Sequence, residues 1–288
     1  MNNGIAAGGL NNLNHIQRAL TEIDTGADAD HQIHLHEFSR QLNEWSQNGL
    51  NTEYRLETSQ RILRCFTQRT TNLDLGRLGL RSLPDCLRHL TQLRTLDVNG
   101  NRLESFPDCL HCLRNLTVLR LCGNRLQTLP EDFWKNKIML HELSVQNNRL
   151  TSFPVPQGRL FAPGLLGGPQ VYGVNLAEQP RVHRIELGGN HLTSLPIDIQ
   201  LLRGLRILDL NHNELNELPG SIWQLSNLHE LDVSYNELND IPEPMPARLT
   251  EHMFRNRGRL VIDPVTANTL NRSIFRLVPV VVMHPGQE

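Results

Sequence analysis

The sequence predicts an α/β solenoid, a horseshoe with a parallel sheet on its concave side and short helices or 3-10 turns on its convex side. Three observations predict it. Asn101, Asn124, Asn148, Asn190, Asn213 and Asn236 each hold the same place in versions of one frame, L-x-x-L-x-[LV]-x-x-N-x-L-x-x-[LFI]-P. Their spacings are 23, 24, 42, 23 and 23 residues, the signature of a repeat array. A helical lead-in precedes the array and an apolar run follows it, as the two ends of a stack require.

Within one repeat, Leu96 and Val98 stand two residues apart and face one side of a short strand, while Asp97 and Asn99 face the other. Leu103 and Phe106 carry the buried side onward around the turn. No single repeat can bury these groups alone, so neighbours stack and share one core. The asparagine amide both donates and accepts, so a buried ladder of Asn satisfies backbone groups of its own turn and the next. After each proline a second apolar series returns at spacings of three, as in Leu87, Leu90 and Leu93, which suits a 3-10 turn. These are the features of a leucine-rich repeat.

About seven repeats are expected over residues 71–247. The first is degenerate, with Leu78 in the asparagine position, as a terminal repeat tolerates. Residues 31–70 read as an N-terminal helical cap: Ile33, Leu35, Phe38, Leu42 and Trp45 recur at near-helical spacing, and Leu56, Ile62, Leu63 and Phe66 do so after a break at Asn48-Gly49. The 42-residue gap before Asn190 holds an insertion near 155–179 rich in glycine and proline, which reads as a loop. A degenerate eighth repeat is the alternative, but no L-x-L strand is visible in it. Residues 248–288 form a C-terminal cap, in which Leu277 to Met283 is expected to cover the last repeat as a strand. Residues 1–30, rich in Asn, Gly and Ala, are expected to be disordered.

Formal net charge is −2 over 288 residues, which points to no global electrostatic partner. The sequence carries neither an apolar run near 18 residues nor a signal-peptide pattern, so no integral membrane association is expected. Five cysteines without paired flanking frameworks favour a reducing compartment. Cys86, His89, Cys109 and Cys112 follow a zinc-like order. They also fall at equivalent places in adjacent repeats, and a solenoid folds without zinc, so no metal or cofactor is assigned. Lys135 and Lys137 are the only lysines against 26 arginines, which codon bias explains as well as avoidance of lysine-directed modification.

Aligned repeats put side chains in columns on the concave face. The column between the strand aliphatics is Asp74, Asp97, Arg120, Ser144, Glu186, Asp209 and Asp232, five of seven acidic. Beside it run Asn99 and Asn211, and then His212 and Tyr235. Like charges about 5 Å apart oppose their own assembly and favour an external cation. The expected partner is therefore a basic protein surface or peptide, bound through Asp74, Asp97, Asn99, Arg120, Glu186, Asp209, Asn211, His212, Asp232 and Tyr235. His212 and Tyr235 are the expected anchors. Arg248, Arg255, Arg257, Arg259, Arg272 and Arg276 make a basic patch, but no aromatic stacking pattern accompanies it, so no nucleic-acid partner is assigned. No Ser/His/Asp set, phosphate loop or paired carboxylates are placed for catalysis, so no catalytic residue is assigned. A monomer is expected.

Trp45, Arg61-Ile-Leu-Arg-Cys65 and Leu73-Asp-Leu-Gly-Arg-Leu-Gly-Leu-Arg-Ser-Leu-Pro84 resemble the opening of bacterial type III secretion effectors of the IpaH and YopM kind. The resemblance covers roughly residues 40 to 250 and is specific near 60 to 84. It implies an interaction module secreted by a type III system into the host cell cytoplasm, with a secretion signal at its N-terminus, and a virulence role through a host protein. Repeats of 23 residues are longer than that family's usual ones. The ligase members carry a nucleophile in a Cys-x-Asp motif, and no Cys-x-Asp occurs here. The alternatives are the substrate-recognition part of a ubiquitin ligase and a cytoplasmic scaffold.

Overall fold

Among the described residues, nine short strands lie side by side in one parallel sheet. The computed structural model describes residues 29–49, 53–156, 162–163, 169–170, 180–239, 242, 259–262 and 280–282. The strands of the seven repeats are β1 (Asn72–Asp74), β2 (Thr95–Asp97), β3 (Val118–Arg120), β4 (Glu142–Ser144), β7 (Arg184–Glu186), β8 (Ile207–Asp209) and β9 (Glu230–Asp232), and they neighbour one another in that order. On the convex side 3-10 turns follow the prolines at Asp85–His89, Asp108–Cys112, Ile197–Leu201 and Gly220–Gln224, with a shorter one at Phe133–Asn136. The proline before each of the four five-residue turns is extended, so it ends one element and aims the next. The fold is a leucine-rich-repeat solenoid with N-terminal helices.

The core is a single stack of leucines, with Leu96, Leu119, Leu143, Ile185, Leu208 and Leu231 wholly buried in consecutive rungs. Five of the six repeat asparagines are buried and Asn236 is half-buried. Asn148 shows the ladder: its Oδ1 accepts from Leu126 N at 3.0 Å, and its Nδ2 donates to Leu121 O at 3.0 Å and Val145 O at 2.9 Å. Each asparagine thus ties its own rung to the one before it. The first repeat lacks the residue, and Asn101 Oδ1 reaches back to accept from both Leu78 N and Leu80 N.

Helices α1 (Ala29–Gln47) and α2 (Arg55–Gln68) close the N-terminal end. Phe38 stacks on Phe66 at 4.1 Å. Within the cap lies a nearly buried ion pair, Arg55 Nε to Glu53 Oε2 at 3.1 Å. The other Glu53 oxygen accepts from Arg81 N at 2.7 Å, and the Arg55 guanidinium lies 4.3 Å from the Trp45 ring centre. Paired and hydrogen-bonded in this way, the two charges are tolerable out of water.

Strand β4 pairs directly with β7, Glu142 opposite Arg184, so the 42-residue interval adds no rung to the main sheet. Of the insertion, Ala162–Pro163 and Pro169–Gln170 (β5 and β6) pair antiparallel; most of its other residues lie outside those described. At the C-terminal end the outcome differs from expectation. Val280–Val282 is a strand (β11), but it does not lie on the last repeat. Arg259–Ile262 (β10) intervenes, pairing with β9 on one side and β11 on the other. The reason is local: Leu260 and Ile262 repeat the two-residue spacing of Leu-x-Leu and enter the same core. Leu277, Val278, the arginine patch apart from the Arg259 backbone, and residues 1–28 fall outside the described residues.

Candidate functional site

The acidic column forms as the register demands. Asp74 lies opposite Asp97, Asp97 opposite Arg120, Arg120 opposite Ser144, Ser144 opposite Glu186, Glu186 opposite Asp209, and Asp209 opposite Asp232. Two acidic runs result, Asp74–Asp97 and Glu186–Asp209–Asp232, separated by Arg120 and Ser144. Beyond Asp232 the column meets Val261, which is buried.

The carboxylates hold their own backbone as well as facing outward. Oδ1 of Asp74, Asp97, Asp209 and Asp232 accepts the N–H two residues on, from Gly76 at 2.8 Å, Asn99 at 2.9 Å, Asn211 at 3.0 Å and Ser234 at 3.0 Å. These are Asx turns at the strand exit, and they account for part of the acidic bias without any ligand. Where the column carries Arg120, Asn99 Oδ1 of the preceding repeat accepts from Cys122 N instead, at 2.6 Å.

Nor is the column a bare stripe of one sign. Arg61 of α2 donates to Asp74 O at 3.0 Å and lies 3.9 Å from its carboxylate. Arg120 pairs with Glu142 at 3.1 Å, and Arg184 with Glu186 at 2.7 Å. Ser144 Oγ donates to Glu186 Oε2 at 2.5 Å. Among the described residues no ion pair reaches Asp97, Asp209 or Asp232. Asp209 is the most confined of these: burial pushes its carboxyl above the usual range, and Asp232 and Glu186 push the same way. The Asn211 N–H and the Gln146 amide, 2.8 Å from Oδ2, oppose that rise. Gln146 reaches Asp209 across Gly188, which has no side chain to block it. A Cβ on Gly188 would come within 2.3 Å of Asn211 Oδ1.

His212 and Tyr235 meet at the exit turns of neighbouring repeats, rings stacked with centroids 4.2 Å apart and planes within 13°. Both are left-handed, at φ 49° and 54°. The equivalent turn is Gly at positions 100, 123 and 189, where this conformation carries no steric cost, and Arg77 and Asn147 at the remaining repeats, also left-handed. A bulky residue there costs about 1 kcal/mol or more. Two adjacent rings therefore persist where glycine is cheaper for the fold.

All ten expected contact residues lie on the concave face or its exit turns, though Asp74, Asn99, Arg120, Glu186 and Asp209 are engaged by neighbouring elements. Missing from the expectation is the first strand position, which also faces outward and carries Glu142, Arg184 and Glu230. Period-two alternation from Asp97 back to Thr95 marks that column in the sequence. The zinc-like residues do not gather: Cys86 and Cys109 are buried, burial pushing both thiols up to about 12, while Cys112 is exposed. Among the described residues no three His, Cys, Asp or Glu side chains converge as metal ligands. No helix among them is long and apolar enough to cross a membrane.

Residues 180–238 match the family described as Leucine rich repeat, and residues 92–113 and 115–136 match Leucine Rich Repeat units. No curated protein matches the chain by sequence. Among solved structures, a leucine-rich-repeat protein of Leptospira interrogans is 26% identical over 78% of this chain, with a TM-score of 0.59. The chain spans about half (50%) of that protein. The leucine-rich-repeat domain of a Shigella effector is 21% identical, covering 86% of this chain and 97% of that one, with a TM-score of 0.60. YopM, a leucine-rich effector protein from Yersinia pestis, is 24% identical over 76% of this chain and 58% of its own, with a TM-score of 0.55. At these identities the two effectors share the fold. Leucine-rich-repeat solenoids are protein-interaction modules, built as open concave surfaces.

Proposed function

We propose that the chain is a non-enzymatic interaction module that takes a basic peptide or protein surface on its concave face, between β7 and β9. The observation that carries this is the run Glu186–Asp209–Asp232 lying beside the His212–Tyr235 stack. Asp209 and Asp232 keep no ion pair among the described residues, and two aromatic rings sit at turns where glycine is cheaper. A guanidinium suits both features, since it pairs with carboxylates and lies flat on a ring. The Arg120 and Ser144 interruption directs a cationic partner to this half of the groove.

The likeness to Shigella and Yersinia effectors, together with the lead-in near residues 60 to 84, supports a secreted bacterial effector acting on a host protein. Loss of translocation from a reporter fusion lacking residues 1–30 is the expected result; unchanged translocation removes the type III reading.

The groove is tested by capture from host-cell lysate, followed by titration of the captured protein. Asp209→Asn with Asp232→Asn is the suitable variant, because Asn keeps the oxygen that caps the turn and removes the charge; at position 209 it also removes the Oδ2 acceptor, which the Gln146 amide meets by turning its own oxygen inward. Binding at least tenfold weaker, with an unchanged melting curve, is expected. Equal capture by both proteins rejects the groove as the site.

A further inference from the structure

Beside the groove, along the edge where the chain leaves the strands, runs a second row of charge. It is formed by the residue after each repeat asparagine: Arg102, Arg125, Arg149, His191, Glu214 and Glu237. The sequence reads Asn-Arg-Leu three times, then Asn-His-Leu, then Asn-Glu-Leu twice. The backbone N–H of each bonds the leucine carbonyl of the preceding repeat, at 2.7, 2.8, 2.9, 2.9, 2.9 and 3.0 Å in order. The row is therefore regular, and it crosses the insertion unbroken because β4 and β7 are neighbours. At about 4.8 Å per rung it is about 24 Å long.

The backbone of this position makes the bond that every rung repeats, so the order of charges is not demanded by folding. The pairs that Arg125 and His191 make within the chain are exposed. Arg125 lies 3.8 Å from Glu104, and His191 Nδ1 lies 2.8 Å from Glu214 Oε1, with every one of these side chains at least 41% exposed.

We infer that this rim pairs with the same rim of a second copy, antiparallel, about a two-fold axis between Arg149 and His191. A row with arginines at one end and glutamates at the other is complementary to itself at both ends when reversed, which is the requirement of an isologous interface. Reversal sets Arg102 against Glu237 and Arg125 against Glu214, each twice, with Arg149 facing His191 at the centre. This alignment engages the whole row; an axis through His191 would instead pair Arg125 with Glu237 and Arg149 with Glu214 and leave Arg102 outside the contact, and a parallel one sets like against like throughout. This departs from the monomer expected from the sequence. It is independent of the groove, whose carboxylates take no part. Exposed pairs are individually weak and screened by salt, so the contact is reversible and its register is set by charge.

Sedimentation equilibrium of the full chain at low and high ionic strength tests it, with Arg125→Glu, Glu214→Arg and the double variant, each checked for an unchanged melting curve. Wild type is expected to dimerise at low salt and dissociate at high salt. Each single reversal acts in two symmetry-related contacts and weakens association about tenfold or more. The double variant restores it, because the two exchanged charges then face each other across the axis with their signs swapped. Wild type that stays monomeric up to about 1 mM at low salt overturns the proposal. So does a double variant no better than either single one.

Discussion

Replacing Asn148 with alanine isolates what the asparagine ladder contributes. The substitution strands one buried donor, Leu126 N, and withdraws a hydrogen bond from two buried carbonyls, Leu121 O and Val145 O. An orphaned buried N–H costs about 1–3 kcal/mol, and each withdrawn carbonyl bond costs about 1 kcal/mol, since a carbonyl keeps a second lone pair. The sum is about 3–5 kcal/mol, a large part of the roughly 5–15 kcal/mol that holds an ordinary domain folded. Asn115→Ala is the control: that side chain is exposed and makes one bond, to Thr91 O at 2.8 Å, so its loss costs less than about 1 kcal/mol. Urea unfolding of both variants gives the comparison. Because rungs couple only to neighbours, a weakened junction at β4 also lets the two halves melt separately, which lowers the apparent m-value. If Asn148→Ala falls within about 1 kcal/mol of the control, the ladder is not what satisfies these groups.

Lys137 is buried, donates to Leu110 O at 2.8 Å, and is held by burial at about 8 instead of 10.5. Its folded form binds a proton less tightly than the unfolded chain does, so its contribution to stability rises with pH from about 8 to about 10.5, by about 3 kcal/mol in all. Denaturation across that window should give a stability difference, wild type minus Lys137→Met, that rises with pH, while the buried thiols of Cys86 and Cys109 lower both proteins alike above about pH 9. Asp209 shifts the other way: the folded chain holds its proton more readily, so stability falls as pH climbs through the acidic range. Asp209→Asn should therefore be no less stable at about pH 7 while binding the partner more weakly, and a large drop in melting temperature contradicts this. Gly188→Ala should push the Asn211 side chain aside and loosen the Gln146–Asp209 bond, lowering stability by about 1–3 kcal/mol. Glu53→Ala leaves Arg55 buried without its partner and Arg81 N without its acceptor. A loss of about 3 kcal/mol is expected by urea titration, and a loss below about 1 kcal/mol contradicts the cap as drawn.

Leu96, Val98 and Asn101 carry the fold in the sequence because their roles repeat, and every rung restates the same spacing. The concave columns follow from that alignment, which is why Asp97, Asp209 and Tyr235 could be placed without coordinates. What could not be read is whatever depends on one rung's particular neighbour. Arg184 beside Glu186, Gln146 reaching Asp209 over Gly188, and Arg61 of α2 against Asp74 are pairings of unlike residues, and no period announces them. Strand β10 escaped for a related reason. Arg259-Leu-Val-Ile262 has the alternation of a rung, but Val265 and Asn271 stand where the frame has its asparagine and its proline. The Asx bonds show a different limit, since the acidic column carries both a turn-capping role and an outward charge, and a sequence pattern cannot divide them.

Because β4 hydrogen-bonds β7 directly, the main sheet runs past the insertion without a gap. Excising about 19 residues from the 42-residue interval would leave 23, the spacing of the neighbouring repeats, with the pairing of β4 on β7 kept. The same junction can accept a foreign segment, such as a fluorescent reporter or an affinity handle, midway along the horseshoe without interrupting its spine. The array thus has a natural splice port at its centre, in a loop that lengthens one repeat without adding a rung.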